Sequence, residues 1–377
     1  MNQVAPTLLV LMTALASSAA TRLTADQTAR LDALFQTFAQ PDAPGASVMV
    51  IHRGRPVFAK GYGLADLATR APCSTNTNFR LASVTKQFTA LAVLILAERN
   101  KLSLEERLPD FFPEFPAYGQ QITVRHLLTH TSGLIDYEDE IPKGTTLPVL
   151  DRDVLRLLMA AGDARSQTSG ERLESRRLAS APTYFAPGAQ YRYSNSGYAL
   201  LALIVEQRSG QTFAQFLKQS IFAPLKMTHT LAYEQGSSIV PNRACGYTVK
   251  SNGVTQTDQS LTSSVLGDGG IYSSVVDLFK WDQALYTSKL VSARTLKLAF
   301  SPATPTDKPG RSYGFGWFIS EYRGLQELWH SGNTIGFTTR IARFPQQQFT
   351  VIILANRTEA KLEDGPHRIA DLMLFSP

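Results

Sequence analysis

Three short pieces of this 377-residue chain carry residue types that can do chemistry together: Ser83-x-x-Lys86, Tyr193-Ser194-Asn195 and His330-Ser331-Gly332. A serine becomes a nucleophile when a neighbour takes its proton, and a lysine can do so if burial keeps its amine neutral. Val84, Phe88, Leu91 and Ile95 recur at helical spacing, and Ala92, Val93, Leu94 and Leu96 make the other faces apolar. The pattern predicts a buried helix from Val84 to Arg99, stopped at Asn100. Ser83 then sits at the helix mouth, where backbone N–H groups are free and the dipole is positive, with Lys86 one turn up the same face. An N-cap serine followed by a solvated lysine fits the same residues, and one Ser-x-x-Lys is expected by chance in a chain of this size. A lysine opening a buried helix weighs against that simpler reading.

The elements that must position these residues fall into a clear order. Thr24-Ala25-Asp26-Gln27 reads as a capping box ahead of Leu31, Leu34, Phe35 and Phe38. Ala46 to His52 and Pro56 to Tyr62 read as a hairpin joined by Arg53-Gly54-Arg55. Ile122 to Leu134 begins as a helix and stops at Gly133. Its His126 and His130 have zinc-ligand spacing, but Leu127 stands where a metalloprotease helix needs glutamate and no third ligand is apparent, so structural histidines are preferred. Residues 163–181 are polar and irregular, as in a surface insertion. Leu200 to Gln207, Phe213 to Phe222 and Val275 to Tyr286 look helical. The last quarter reads as strands at Tyr313 to Ser320, Leu325 to His330, Phe337 to Phe344 and Phe349 to Ala355, closed by a short helix from Arg368 to Phe375. Strands at both ends with helices between imply one sheet assembled from the two termini, with a helical region inserted.

Composition bounds the rest. The chain is 44% hydrophobic and 18% charged, with net charge +6 spread along it, and no basic run points to nucleic acid. Thr7 to Leu15 is apolar and Ala16-Ser17-Ser18-Ala19-Ala20 follows, the order of a secretory signal and its cleavage site, although no Lys or Arg precedes Arg22. Export to a periplasm or the medium is expected, with residues 1–20 removed; the run is too short to span a bilayer, so an integral membrane protein is not expected. Cys73 and Cys245 could pair in an oxidising compartment, and two separate buried thiols are the preferred reading.

In their order and distances the three pieces resemble the serine β-lactamase, penicillin-binding protein and DD-peptidase superfamily, most of all its class C β-lactamase and esterase/peptidase branch. The resemblance covers nearly all of the chain past residue 20, through Gly61-Tyr62-Gly63, His126 to Leu134, Phe185 to Tyr198, Ile221 to Thr230, Gly267 to Ser274 and Trp329 to Phe337. It implies an α/β (α+β) fold of β-lactamase/transpeptidase type, with a sheet part at about 21–98 and 270–377 and a helical part at about 99–269. It implies that Ser83 attacks a carbonyl carbon, that Lys86 and Tyr193 share proton transfer, and that Asn195 bonds the lysine and the substrate amide. Tyr193 would serve as a base only if a cation such as Lys86 favours its phenolate; Tyr191 is the second choice, lacking an asparagine two residues on. His330, Ser331 and Gly332 would edge the substrate, and the backbone N–H groups of Ser83 and Asn333 would form the oxyanion hole. No cofactor or metal is implied.

The expected partner is a small molecule or peptide, such as a cell-wall peptide or a β-lactam. The expected activity is hydrolysis of an ester, a D-amino-acid amide or a β-lactam. The alternative is a protein that binds or is slowly acylated by cell-wall peptides without efficient turnover. A histidine stands where β-lactamases carry lysine, which tilts the reading toward peptidase or esterase; to hold a carboxylate by charge, His330 must be protonated, near the ordinary value of about 6.5.

Overall fold

The computed structural model describes residues 23–166, 183–358 and 360–375. The expected signal segment and most of the polar stretch 163–181 lie outside them.

Helix α1 (Ala25–Leu34) opens on the expected capping box, with Thr24 and Gln27 satisfying each other's backbone. Strands β1 (Ala46–His52) and β2 (Arg55–Tyr62) follow. The other strands of the same sheet come from the far end of the chain: β3 (Thr304–Pro305), β4 (Ser312–Tyr313), β5 (Phe318–Tyr322), β6 (Leu325–Thr334), β7 (Phe337–Phe344) and β8 (Phe349–Ala355). Together they form an eight-stranded sheet in the order β3-β4-β5-β6-β7-β8-β1-β2. Every pairing is antiparallel, and β1 closes directly on β8. The two termini thus build one sheet, as expected.

Both faces of β1, β7 and β8 are buried, which explains their near-continuous apolar sequence. One face packs on α1 and the C-terminal helix (Gly365–Ala370), through Leu31, Phe35, Val48, Ile353 and Ile369. The other packs on α2 (Lys86–Glu98) and α8 (Val275–Ala284), where Phe88 and Trp281 stack with centroids 4.2 Å apart. Every residue of α2 from Lys86 to Leu96 is buried, so the helix is enclosed on all sides, as its pattern predicts. Between α2 and α8 the chain builds the helical region from α3 (Val124–Leu128), α4 (Asp151–Ser166), α5 (Asn195–Ser209), α6 (Phe213–Leu217) and the short α7 (Leu266–Gly269).

Four of the boundaries that differ from the sequence reading bear on the site. α3 ends at Leu128, because His130 adopts a left-handed backbone with φ 58°. α5 begins at Asn195, five residues early, because Ser194 caps it by accepting the Gly197 N–H. The stretch Tyr313 to Ser320 is broken by Gly316 at φ 79° into β4 and β5. β6 runs past His330 to Thr334. Cys73 and Cys245 are free thiols. No helix among the described residues is long and apolar enough to cross a membrane.

Candidate active site

Ser83 lies in a single 3-10 turn, Ala82–Thr85, that runs straight into α2. The turn is clamped on both sides. Leu81 donates its N–H to the Ile271 carbonyl at 2.8 Å and accepts the Thr339 hydroxyl of β7 at 2.7 Å. Gly332 of β6 presses against the same carbonyl: a Cβ there would stand 2.1 Å from Leu81 O. Ala82 is left at φ 48°, a left-handed conformation that costs an alanine energy and that this packing enforces.

Lys86 is fully buried. Its three ammonium protons are all used: Nζ donates to Ser83 Oγ at 3.1 Å, Asn195 Oδ1 at 2.8 Å and the Asp268 carbonyl at 2.9 Å. Burial pushes its pKa down to about 8, against the opposing pull of Asp268, Asp136 and Glu138. An appreciable fraction of the amine is therefore neutral at physiological pH, and it touches the serine oxygen.

The Tyr193 ring lies 4.9 Å from Lys86 Nζ. Its hydroxyl is buried and completes no hydrogen bond of good geometry among the described residues. It stands near enough to Ser83 for that hydroxyl to temper the rise in pKa that burial imposes. Burial wins, and Tyr193 is a neutral phenol at rest. The phenolate that the sequence reading made conditional on a nearby cation is corrected: burial, with Asp268 and Asp136 adding to it, outweighs what Ser83 gives back and keeps the proton on the phenol. Tyr191 stands further off, edge-on to His130 at 5.9 Å.

A sequence profile of the family described as Beta-lactamase matches residues 31–373. The chain belongs to the beta-lactamase family. It is 32% identical over 361 residues to penicillin-binding protein 4* of Bacillus subtilis, covering 92% of this chain and 75% of that protein. Among solved structures it resembles the octameric penicillin-binding protein homologue of Pyrococcus abyssi, with TM-score 0.77, 25% identity and coverage of 92% and 77%. The D-amino acid amidase of Ochrobactrum anthropi shares the fold, with TM-score 0.75, 23% identity and coverage of 93% and 98%. Membership makes this protein a serine hydrolase.

In this family member the third motif is built differently from the expectation. His330 is 1% exposed. Its Nδ1–H donates to the Ser331 carbonyl at 2.7 Å, so Nε2 is bare and accepts the Tyr313 hydroxyl at 3.1 Å. Burial, followed by Lys86, drives its pKa to about 3. The expectation of a histidine that titrates near 6.5 and holds a carboxylate by charge is therefore corrected. Along β6, side chains alternate: His330 and Gly332 face the Ser83 turn, whereas Ser331 and Asn333 point to the opposite face. Asn333 lines a cavity there with Phe35, Phe38 and Arg357. Only the backbone of Ser331 and Asn333 remains available on the Ser83 side.

Ser132 and Ser194, the other serines near the site, spend their hydroxyls accepting the Leu134 and Gly197 N–H groups. His126 Nδ1 accepts the Thr123 N–H and His130 Nδ1 accepts the Ser194 N–H, so both histidines are committed to backbone. Among the described residues no group of His, Cys, Asp or Glu is arranged to hold a metal ion.

Sequence reasoning missed Asp268. It sits within Gly267-Asp268-Gly269-Gly270, a stretch notable in the sequence only for its glycines. Its carbonyl holds Lys86, and its carboxylate, raised to about 6 by burial, accepts the Tyr137 hydroxyl at 3.0 Å. Asp151 was missed as well: its buried carboxylate accepts the N–H groups of Leu266 and Gly267 at 2.8 and 2.9 Å and so seats α7.

Proposed function

We propose that this chain is an exported hydrolase that cleaves amides or esters through an acyl-enzyme on Ser83. The observation that carries the reading is the buried Lys86 amine, lowered to about 8 and 3.1 Å from Ser83 Oγ. Neutral Lys86 takes the Ser83 proton as Oγ bonds to the carbonyl carbon. The developing oxyanion is held by the backbone N–H groups of Ser83 and Asn333. Tyr193, a phenol with an unspent hydroxyl, gives its proton to the leaving group and regains one from Lys86. Water then attacks the acyl-enzyme, its proton returns through the same pair to Ser83 Oγ, and the acid is released. Asn195 holds Lys86 and presents its amide to the substrate.

Beside Tyr193 runs a groove walled by Tyr184, Phe185, Tyr191 and Phe318, with Arg192 and Arg311 at its rim. It suits an aromatic or acidic substituent. With His330 neutral, β6 offers no fixed charge for a β-lactam carboxylate, which favours simple amides and esters over β-lactams. The D-amino acid amidase among the structural neighbours fits this substrate class. Export rests on the apolar Thr7–Leu15 run and the small residues after it.

The test is Ser83→Ala assayed on a panel of p-nitrophenyl esters, D-amino-acid amides and a chromogenic β-lactam. Turnover should disappear with the fold retained, and a fluorophosphonate adduct on the wild-type protein should map to the Ser83 peptide. Residual activity above a few per cent, or an adduct elsewhere, rejects the assignment. Stoichiometric acylation without turnover on every substrate would leave only a binding protein.

A further inference from the structure

His130 is a buried histidine to which the proposed reaction gives no role. Its left-handed backbone, φ 58°, turns both its carbonyl and its ring toward one short stretch of chain. The carbonyl accepts the Arg192 N–H at 2.9 Å. Nδ1 accepts the Ser194 N–H at 3.0 Å. Between those two bonds the ring lies over the ring of Tyr193, with centroids 4.3 Å apart and planes 33° apart. Residues 192, 193 and 194 are thus each held by a different part of one residue. The ring is fixed in turn by Tyr198 at 5.0 Å and by Tyr313 at 4.6 Å, the tyrosine that bonds His330.

The Ser194 bond also decides the proton. Nδ1 must be bare to accept it, so the neutral ring carries its hydrogen on Nε2, which finds no partner among the described residues. Protonation would set an N–H against the Ser194 N–H and a second cation beside Lys86. Burial, followed by Lys86 and His330, holds the ring neutral, and the Ser194 N–H, which needs a bare Nδ1, favours the same form.

We propose that His130 is a positioning residue for Tyr193, clamping residues 192–194 so that the phenol hydroxyl reaches both Ser83 and the leaving group. This rests on the reading of Tyr193 as the proton donor. A histidine that only fills the core would affect stability and all substrates alike. A clamp on the proton donor affects most those substrates whose leaving group needs a proton.

The experiment uses a series of esters with one acyl group and leaving groups running from p-nitrophenol through phenol to a simple alcohol. Rates of acylation are measured for wild type, Tyr193→Phe, His130→Phe, His130→Asn and the double variant. His130→Phe keeps a ring over Tyr193 but loses the acceptor. His130→Asn loses the ring, keeps an acceptor and suits the left-handed backbone. Displacing Tyr193 by about 1 Å costs on the order of 100-fold on the alcohol ester. His130→Phe should lose about that much there and at least about tenfold less on the p-nitrophenyl ester, steepening the leaving-group dependence as Tyr193→Phe does. His130→Asn should recover part of the loss, and the double variant should be no slower than Tyr193→Phe alone.

If Tyr193→Phe leaves the leaving-group dependence unchanged, the proton-donor reading fails and the clamp fails with it. If Tyr193→Phe steepens it but His130→Phe lowers all esters equally, the proposal alone is overturned. Should His130→Phe not fold, His130→Asn decides: a leaving-group dependence equal to wild type overturns the clamp, and a steeper one supports it.

Discussion

Converting Asn195 to aspartate probes the assigned base without changing the shape of the site. The Asn195 oxygen lies 2.8 Å from Lys86 Nζ, and Asn195→Asp replaces a neutral acceptor there with a carboxylate of the same geometry. At that separation a full charge is worth about 6 kcal/mol in a protein-like medium with a dielectric of about 20, and about 1.5 kcal/mol if the cleft screens like water. One pKa unit corresponds to about 1.4 kcal/mol, so the Lys86 pKa should rise by between one and about four units. In the wild type, with Lys86 at about 8, kcat/KM should climb through an acid limb centred near 8. About one-tenth of the amine is then neutral at pH 7. In Asn195→Asp the limb should move to about 9 or beyond, even on the screened figure. At pH 7 the variant should be at least about tenfold slower, and the deficit should shrink as pH approaches 10. The assay is kcat/KM for an activated ester from pH 6 to 10, corrected for spontaneous hydrolysis. A limb that stays near 8 while the whole profile drops uniformly would refute Lys86 as the titrating base.

Gly332→Ala would drive a methyl group to 2.1 Å from Leu81 O and 2.4 Å from Thr339 Oγ1. Overpacking of this kind costs about 1–3 kcal/mol by urea denaturation, and because the Ser83 turn must shift, kcat/KM should fall on the order of 100-fold. Undiminished activity would mean the close strand–turn contact is not needed. For His330 the folded pKa, about 3, lies below the unfolded value, so its stabilising contribution is complete above about pH 6.5 and is lost as pH falls toward 3. Relative to His330→Gln, the wild type should therefore lose about 2 kcal/mol between pH 7 and pH 5, measured by urea denaturation of both proteins. Discrimination between carboxylate-bearing and neutral esters should stay flat from pH 5 to 8 in the wild type; a step near 6.5 would restore the charge-holding histidine. Residues 21–377 expressed alone should be soluble and active, and protein recovered from its host should begin near residue 21; an intact N-terminus would refute cleavage.

Much of this protein was determined by patterns that act locally. The unbroken apolar run after Ser83 permits only an enclosed helix, and helical geometry then puts Lys86 one turn above the serine whatever surrounds them. The strands at both ends were legible for the same reason, since strands buried on both faces leave near-continuous apolar runs. The tertiary structure alone decided the charge states. How far Lys86 is lowered, and whether Tyr193 stays a phenol and His330 stays neutral, depends on how much water each loses and which distant groups face it. The Asp268 carbonyl that completes the lysine's shell comes from 182 residues away, and the link from His130 to Ser194 spans 64. Backbone groups carry no sequence signature, and desolvation is a property of the packed chain, so no spacing of residue types could have announced either.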